Sequence, residues 1–221
     1  MVEIKDLTKT YTIAGKRVEA VDKVNFTVRP GEIVSIMGHS GSGKTTLLSL
    51  IGGLTKPDSC SVIINGNDIW SMSDDALSDF RNKTISFIYQ FASLIPTLSV
   101  FDNIVLPLTF GKHGEDAGNY AKHLCEVVGL SDKIRSYPSQ LSGGQQRRVA
   151  IARAFVTSPG IVLADEPTGD LDEETEAEMV RFFKKVNEEK GTIFIIVTHN
   201  TELARQAGRQ LKMSNGIMTA V

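Results

Sequence analysis

The sequence predicts an α/β protein built on a mostly parallel sheet. Two observations carry that prediction: four dense apolar runs, and helical patterns that fall between them. A third, side-chain alternation in the first sixty-odd residues, adds an antiparallel β unit at the N-terminus.

The apolar runs are IVSIM at 33–37, ISFIY at 85–89, IVLA at 161–164 and IFIIVT at 193–198. Runs this short and this apolar fit strands buried on both faces of a parallel sheet. Helical patterns occupy 44–52, 73–82, 144–157 and 172–189. Strand and helix in alternation mark the α/β class. In contrast, VEIKDL at 2–7, VEAVDKVNFTV at 18–28 and SVIING at 61–66 alternate apolar and polar residues. That spacing predicts antiparallel strands with one solvated face. Residues 98–140 hold the helical pieces VFDNIVLPL and YAKHLCEVVGL and no convincing strand, which predicts a helical insertion. KHGEDAG at 112–118 reads as an exposed loop.

Composition narrows the class. A chain of 221 residues that is 41% hydrophobic can build one large domain with a small subdomain. A formal charge of −2 and a pI near 6.1 give no sign of a basic nucleic-acid face. Cys60 and Cys125 form no C-x-x-C pair. That argues against a zinc site or a disulfide framework and suits a reducing compartment. The N-terminal MVEIKDLTKTYTI lacks the apolar core of a signal peptide. No apolar run approaches bilayer-spanning length, so the chain is expected not to cross a membrane itself.

The chemistry begins at GHSGSGKTT, residues 38–46. Gly38, Gly43, Lys44 and Thr45 fit G-x-x-x-x-G-K-[ST], the loop whose amides cradle nucleotide phosphates. The strand EIVSIM precedes it and the helix KTTLLSLIGG follows, which is the context that reading requires. Gly38, Gly41 and Gly43 let the backbone turn its amides toward oxygens, and the helix N-terminus adds partial positive charge. Lys44 is expected on the β- and γ-phosphates and the Thr45 hydroxyl on Mg²⁺.

A second element is GIVLADEPTGDLD at 160–172. Its buried strand ends in Asp165 and Glu166, where open α/β sheets bind ligands. Asp165 there can hold Mg²⁺, and Glu166 can polarise an attacking water as general base. The bland reading is an acidic loop paired with surface lysines. LSGGQQRRVAIARAF at 141–155 is a third. Ser142 and two glycines open a helix that is either an ordinary capped helix or a second anion-ready start. One physical point favours the latter. A single phosphate loop leaves the far side of the γ-phosphate facing solvent, and two copies paired head-to-tail would close it.

His199 ends TIFIIVTH on the sheet edge where Lys44 and Glu166 gather, within reach of the γ-phosphate. Gln90 follows ISFIY at another strand end and opens the helical insertion, where a neutral amide can meet metal or water. Tyr11, on an early strand, fits either a core position or a face on which adenine stacks.

Taken together, GHSGSGKTT, the glutamine of YQF, LSGGQ, IVLADEPTGDLD and VTH resemble the nucleotide-binding subunit of an ABC transporter, over essentially the whole chain. The resemblance implies a P-loop NTPase core with a mostly parallel sheet, an N-terminal antiparallel β subdomain and an inserted α-helical subdomain. It implies one ABC ATPase domain over 1–221, with 1–90 and 158–221 as nucleotide-binding core and 91–157 as the helical subdomain.

By position, Tyr11 matches the adenine-stacking aromatic. Gly38, His39, Ser40, Gly41, Ser42, Gly43, Lys44, Thr45 and Thr46 match the phosphate loop. Thr45, Gln90 and Asp165 match the metal site; Glu166, His199 and Lys44 match the catalytic groups. Ser142, Gly143, Gly144 and Gln145 match the signature that contacts ATP held by the opposite subunit, and Asp172 matches the dimer-interface loop. The implied cofactors are ATP and Mg²⁺. The implied partners are integral-membrane permease subunits and a second copy of the chain, with no nucleic acid. The implied location is the cytoplasmic face of the membrane, where substrate contacts lie in the membrane subunits.

Finer stretches, among them KTYTIAGKRVEAVDKVNFTVRPGE and FIYQFASLIPTLSVFDNIVLPL, resemble the lipoprotein-release and macrolide-efflux branch. Three positions depart from the family pattern. Cys60 stands where a turn glycine is usual, His39 replaces the common proline, and Asp170 stands where the branch has asparagine. The alternative reading is a soluble ABC-type ATPase acting on nucleic acid or ribosomes. The acidic pI, the single cassette and the lack of a coiled-coil insertion argue against it. A GTPase is disfavoured because NKTI at 82–85 lacks the aspartate of the guanine motif.

Overall fold

In the computed structural model, residues 1–111 and 116–220 are described. They form two sheets and the helices that cover them. In the first sheet, β1 (Val2–Ile13) pairs antiparallel with β2 (Lys16–Val28) and, on its other side, with β4 (Ser59–Ile64), which pairs with β5 (Asn67–Asp68). The second sheet contains β3 (Ile33–Met37), β6 (Ile85–Ile88), β7 (Ile161–Asp165), β8 (Ile193–Thr198), β9 (Arg209–Ser214) and β10 (Ile217–Ala220). Its order is β10-β9-β3-β8-β7-β6, parallel except for β10.

Three of the four dense apolar runs become the inner strands β3, β7 and β8, and the fourth becomes the edge strand β6, for a simple reason. Successive side chains of a strand point to opposite faces. Ile161 and Leu163 of β7, with Ile193, Ile195 and Val197 of β8, enter the core under the antiparallel sheet. Val162, Ala164, Phe194 and Ile196 enter a second core on the other face. Both faces are covered, so both sets must be apolar.

α1 (Lys44–Ile51) and α2 (Asp74–Thr84) bring Leu47, Leu50 and Leu77 into the first core. The second core is filled by α3 (Val100–Val105), α4 (Ala117–Val127), α5 (Gly143–Phe155), α6 (Glu173–Lys190) and α7 (Thr201–Arg205). It therefore runs without a break from the sheet into the inserted helices. Cys125 lies buried on α4 within it. Caps fix the ends: the Asp172 carboxylate accepts from the Thr175 amide, and Gly191 closes α6 at φ 65°.

Phe155 anchors this second core, 4.8 Å edge-on from Phe182 and 5.9 Å from Phe183 between ring centroids. Phe155→Ala is expected to lower the unfolding free energy by about 3–5 kcal/mol. The check is the urea midpoint at unchanged slope; a shift under about 1 kcal/mol would remove Phe155 from the anchor role.

Three features differ from expectation. Cys60 falls within β4 instead of a turn. The C-terminal hairpin β9–β10 was not legible as strands. Of the loop expected at 112–118, residues 112–115 lie outside the described residues, and Ala117 already opens α4.

Candidate active site

The parallel register decides where the site forms. Met37 is level with Thr198, Asp165 with Val197, and Ile88 with Ala164, so β3, β6, β7 and β8 end at one edge. In open α/β sheets the crevice beyond the carboxyl ends takes the ligand. A cleft of about 1130 Å³ lies there. It is lined by Tyr11, Gly38, His39, Ser40, Gly41, Ser42, Gly43, Lys44, Thr45, Thr46, Gln90, Asp165, Glu166 and His199. Ser142, Gly143, Gly144, Gln145 and Asp172 do not line it.

The loop at 38–43 is shaped for an anion. Gly43 sits at φ 102°, and α1 begins with neither a side-chain cap nor an acidic residue in its first turn. Its first amides are thus left for a ligand. Lys44 Nζ donates to the carbonyls of Gly38 at 2.7 Å and His39 at 3.0 Å, which holds the ammonium over the loop. Behind the loop stands the C-terminal hairpin: the Gly216 amide donates to the Ser42 carbonyl at 3.1 Å. A Cβ at Gly38 would collide with the Met213 carbonyl oxygen.

Beside the loop, Thr45 Oγ1 donates to Asp165 Oδ2 at 2.6 Å. Asp165 is buried, and burial raises its carboxyl pKa from the ordinary value. The Thr45 bond opposes that rise, the Glu166 charge adds to it, and Lys44 and Arg147 counter it. Hydroxyl and carboxylate oxygens are the donor type that suits a hard cation. Magnesium commonly takes one or two carboxylates and completes its shell with water and substrate phosphates. Among the described residues no group of three or more His, Cys, Asp or Glu side chains is placed to hold a metal ion.

Glu166 follows with φ 46°, a left-handed conformation uncommon for a residue with a long side chain. Such strain persists only where surroundings over-determine it. Here they do. Its amide donates to the Val197 carbonyl at 2.9 Å, and Oε2 accepts from the Thr198 hydroxyl at 2.7 Å. Oε1 accepts from the His199 amide at 2.8 Å and lies 2.6 Å from His199 Nδ1. The His199 side chain is 79% exposed and that of Glu166 only 13%. The pair therefore presents imidazole outward and carboxylate inward.

At the far wall Tyr11 stands half-exposed, opposite Val18 in the β1–β2 register, with Ile13 nearby on the same strand. The three form an apolar plate on the cleft, a fit for the face of a base.

The LSGGQ segment lies elsewhere. Ser142 caps α5: its Oγ accepts from the Gln145 amide at 3.2 Å, and Gln145 Oε1 accepts from the Ser142 amide at 2.9 Å. This reciprocal box settles two amides and leaves Ser142 and Gly143 exposed. Asp172 caps α6, and hydrogen bonds from Thr175 hold its carboxyl below the usual range. Asp170, at φ 66°, has the guanidinium of Arg147 at 3.9 Å, so its charge is faced within the chain.

Four contributors escaped the sequence reading. Thr198 hides in an apolar run, although it fixes Glu166. Val18 and Ile13 read only as alternating strand residues. Arg147 is one of two adjacent arginines in LSGGQQRRVAIARAF that drew no role from the sequence, although it is 2% exposed.

A phosphate loop at one strand–helix joint and an acidic pair at a neighbouring strand end define a P-loop nucleotide-hydrolysing cassette, here with a second capped helix start on an inserted helical segment. Residues 21–169 match the ABC transporter family, and the chain belongs to it as an ATP-binding, ATP-hydrolysing subunit. It is similar to the lipoprotein-releasing system ATP-binding protein LolD of Bordetella avium, at 45% identity over 95% of this chain and 92% of that one. It is 42% identical to the protein of the same name from Geobacter metallireducens, over 100% and 98% of the two chains. Among solved structures it resembles the ATP-binding cassette MJ0796, a dimer in a post-hydrolysis state bound to ADP and Pi. The TM-score is 0.93 at 39% identity, covering 100% of this chain and 98% of that one.

Proposed function

We propose that this chain works as a homodimer that closes over two ATP molecules and drives membrane subunits of a lipoprotein-release type complex. The observation that carries the proposal is a mismatch within one chain. The cleft gathers Tyr11, the phosphate loop, Gln90, Asp165, Glu166 and His199, while the helix start at Ser142–Gln145 lies outside it. Head-to-tail pairing matches the open side of one cleft to the exposed helix start of the other copy. Solved MJ0796 is a dimer, which supports this arrangement.

In this reading Tyr11 stacks on adenine. The amides of 38–46 and the Lys44 ammonium hold the phosphates. Thr45, Asp165 and Gln90 would hold Mg²⁺, which when bound neutralises charge on the phosphate oxygens. Glu166 takes the proton of the attacking water, and His199 keeps the carboxylate aimed and reaches the γ-phosphate. Asp172 sits on the loop that meets the partner copy. Residues 1–90 and 158–221 act as nucleotide-binding core and 91–157 as the helical subdomain.

The permease subunits dock at the entry to the inserted helices. Phe91 and Phe110 are 74% and 70% exposed there, with Tyr89 and Ile95 half-exposed beside them. Asn103 ties Ile95 to α3, and Asn82 ties the Pro107 carbonyl to α2, which fixes the backbone on which these side chains stand. No helix of the described residues is long and apolar enough to cross a membrane. In this reading the chain sits at the cytoplasmic face, held there by its membrane subunits. The names of the LolD relatives support lipoprotein release as the work done.

Mixing two inactive variants tests the shared site. Lys44→Ala and Ser142→Arg chains are each expected to be inactive alone. Mixed, their heterodimer holds one site with an intact loop and an intact helix start, so hydrolysis returns. A mixture as inactive as its parts would overturn the head-to-tail reading.

A further inference from the structure

A full positive charge lies on the buried face of α5. Arg147 is 2% exposed, yet its guanidinium donates to the carbonyl oxygens of Tyr89 and Gln90. Its Nε donates to the Gly169 carbonyl at 3.1 Å. Further along the same helix, Arg153 donates to the carbonyls of Ala92 at 2.8 Å and Ser93 at 2.9 Å. Between them the two guanidiniums hold four of the five carbonyls from Tyr89 to Ser93. Arg147 alone also reaches the loop after β7.

Burying a guanidinium is costly unless its donors are paired. Pairing here uses backbone carbonyls from two separate segments, which is a structural joint in physical terms. Only a planar fork with several donors can span them; a lysine offers a single point charge. The start of α5 touches the same loop directly, since a Cβ at Gly144 would stand 3.3 Å from the Asp170 carbonyl oxygen.

We propose that Arg147 is a positioning residue: it ties the Gln90 segment to the 166–172 loop, so that both shift together with the start of α5. It touches neither nucleotide nor metal in the proposed site. A displacement at Gln90, next to the exposed aromatic surface, is carried through Arg147 to the loop holding Glu166 and Asp172. For its effect on hydrolysis the inference rests on the function proposed above; for the joint itself it does not.

Hydrogen exchange on the full-length chain, with steady-state ATP hydrolysis alongside, tests it. Arg147→Lys keeps charge and stem but loses the fork. Amide exchange is expected to rise about tenfold in 89–93 and 168–172 together, and kcat to fall about tenfold with KM for ATP within about twofold. Arg153→Lys is the comparator, expected to loosen 92–93 and leave 168–172 as in the wild type. Arg147→Met removes the charge as well and is expected to go further in the same direction. If it fails to fold, the lysine variant carries the test.

Exchange rising in only one of the two segments, rising evenly through the chain, or staying at wild-type levels in Arg147→Lys would overturn the joint. A wild-type chain without ATP hydrolysis would instead sink the proposed function, with the exchange result still standing.

Discussion

Glu166→Gln is expected to lower ATP turnover by roughly 10²–10⁴ while ATP binding stays close to wild type. The expectation follows from the hydrogen bonds around the side chain. Oε1 accepts from the His199 amide, and Oε2 accepts from the Thr198 hydroxyl. A glutamine can keep both contacts, with its carbonyl facing His199 and its amide donating to the Thr198 oxygen. Shape and fold are preserved, and proton acceptance is lost. Since binding survives and hydrolysis does not, the ATP-bound dimer is expected to accumulate. Phosphate release measures the first effect and light scattering with ATP the second. Wild-type turnover in this variant would take the base role from Glu166.

Gly43→Ala is expected to abolish nucleotide binding and to destabilise the fold. Gly43 holds φ 102°, and a Cβ there would overlap the carbonyl oxygen of Ala20 on β2. Backbone strain of this kind costs about 1–3 kcal/mol before any clash is added. The obstacle is backbone, at a bulge of β2 flanked by the paired residues Glu19 and Val21, and not the free end of a side chain that could turn away. The loop must open, and its amides lose their aim. Gly41→Ala supplies the contrast: φ is +76°, but nothing lies within 4 Å of the added carbon. Gly41→Ala is therefore expected to be the milder change, in melting temperature and in fluorescence titration with nucleotide. Equal affinity in Gly43→Ala and the wild type would show that loop shape is not what binds phosphate.

Much of this site was legible in the sequence because its parts are local. GHSGSGKTT combines glycines, lysine and threonine between a strand and a helix, and each neighbour can be read within a few residues. Asp165 and Glu166 were placed by the apolar run before them. What stayed hidden depends on distant partners. The positive φ of Glu166 is imposed by Val197, Thr198 and His199, some thirty residues away. Arg147 and Arg148 look alike on paper; only the packing of α5 against Tyr89, Gln90 and Gly169 buries the first. Cys60 lies in a strand because β4 pairs with β1, which no local pattern around PDSCSV reveals. The hairpin β9–β10 was missed because its strands are short and only half apolar, and β10 lies at the sheet edge.

That overlooked hairpin bears on the order in which the protein is made. Residues 209–220 leave the ribosome after every other element described, yet Gly216 bonds to Ser42 and the Met213 carbonyl stands against Gly38. A nascent chain that has passed β8 and His199 holds every residue assigned to phosphate, metal and water. It still lacks the wall that gives the phosphate loop its shape. Domains fold as units during synthesis, and here one wall of the phosphate loop comes from strands that follow every other described element in chain order. A chain stopped before β9 is therefore expected to carry the whole phosphate-loop sequence and yet hold nucleotide poorly.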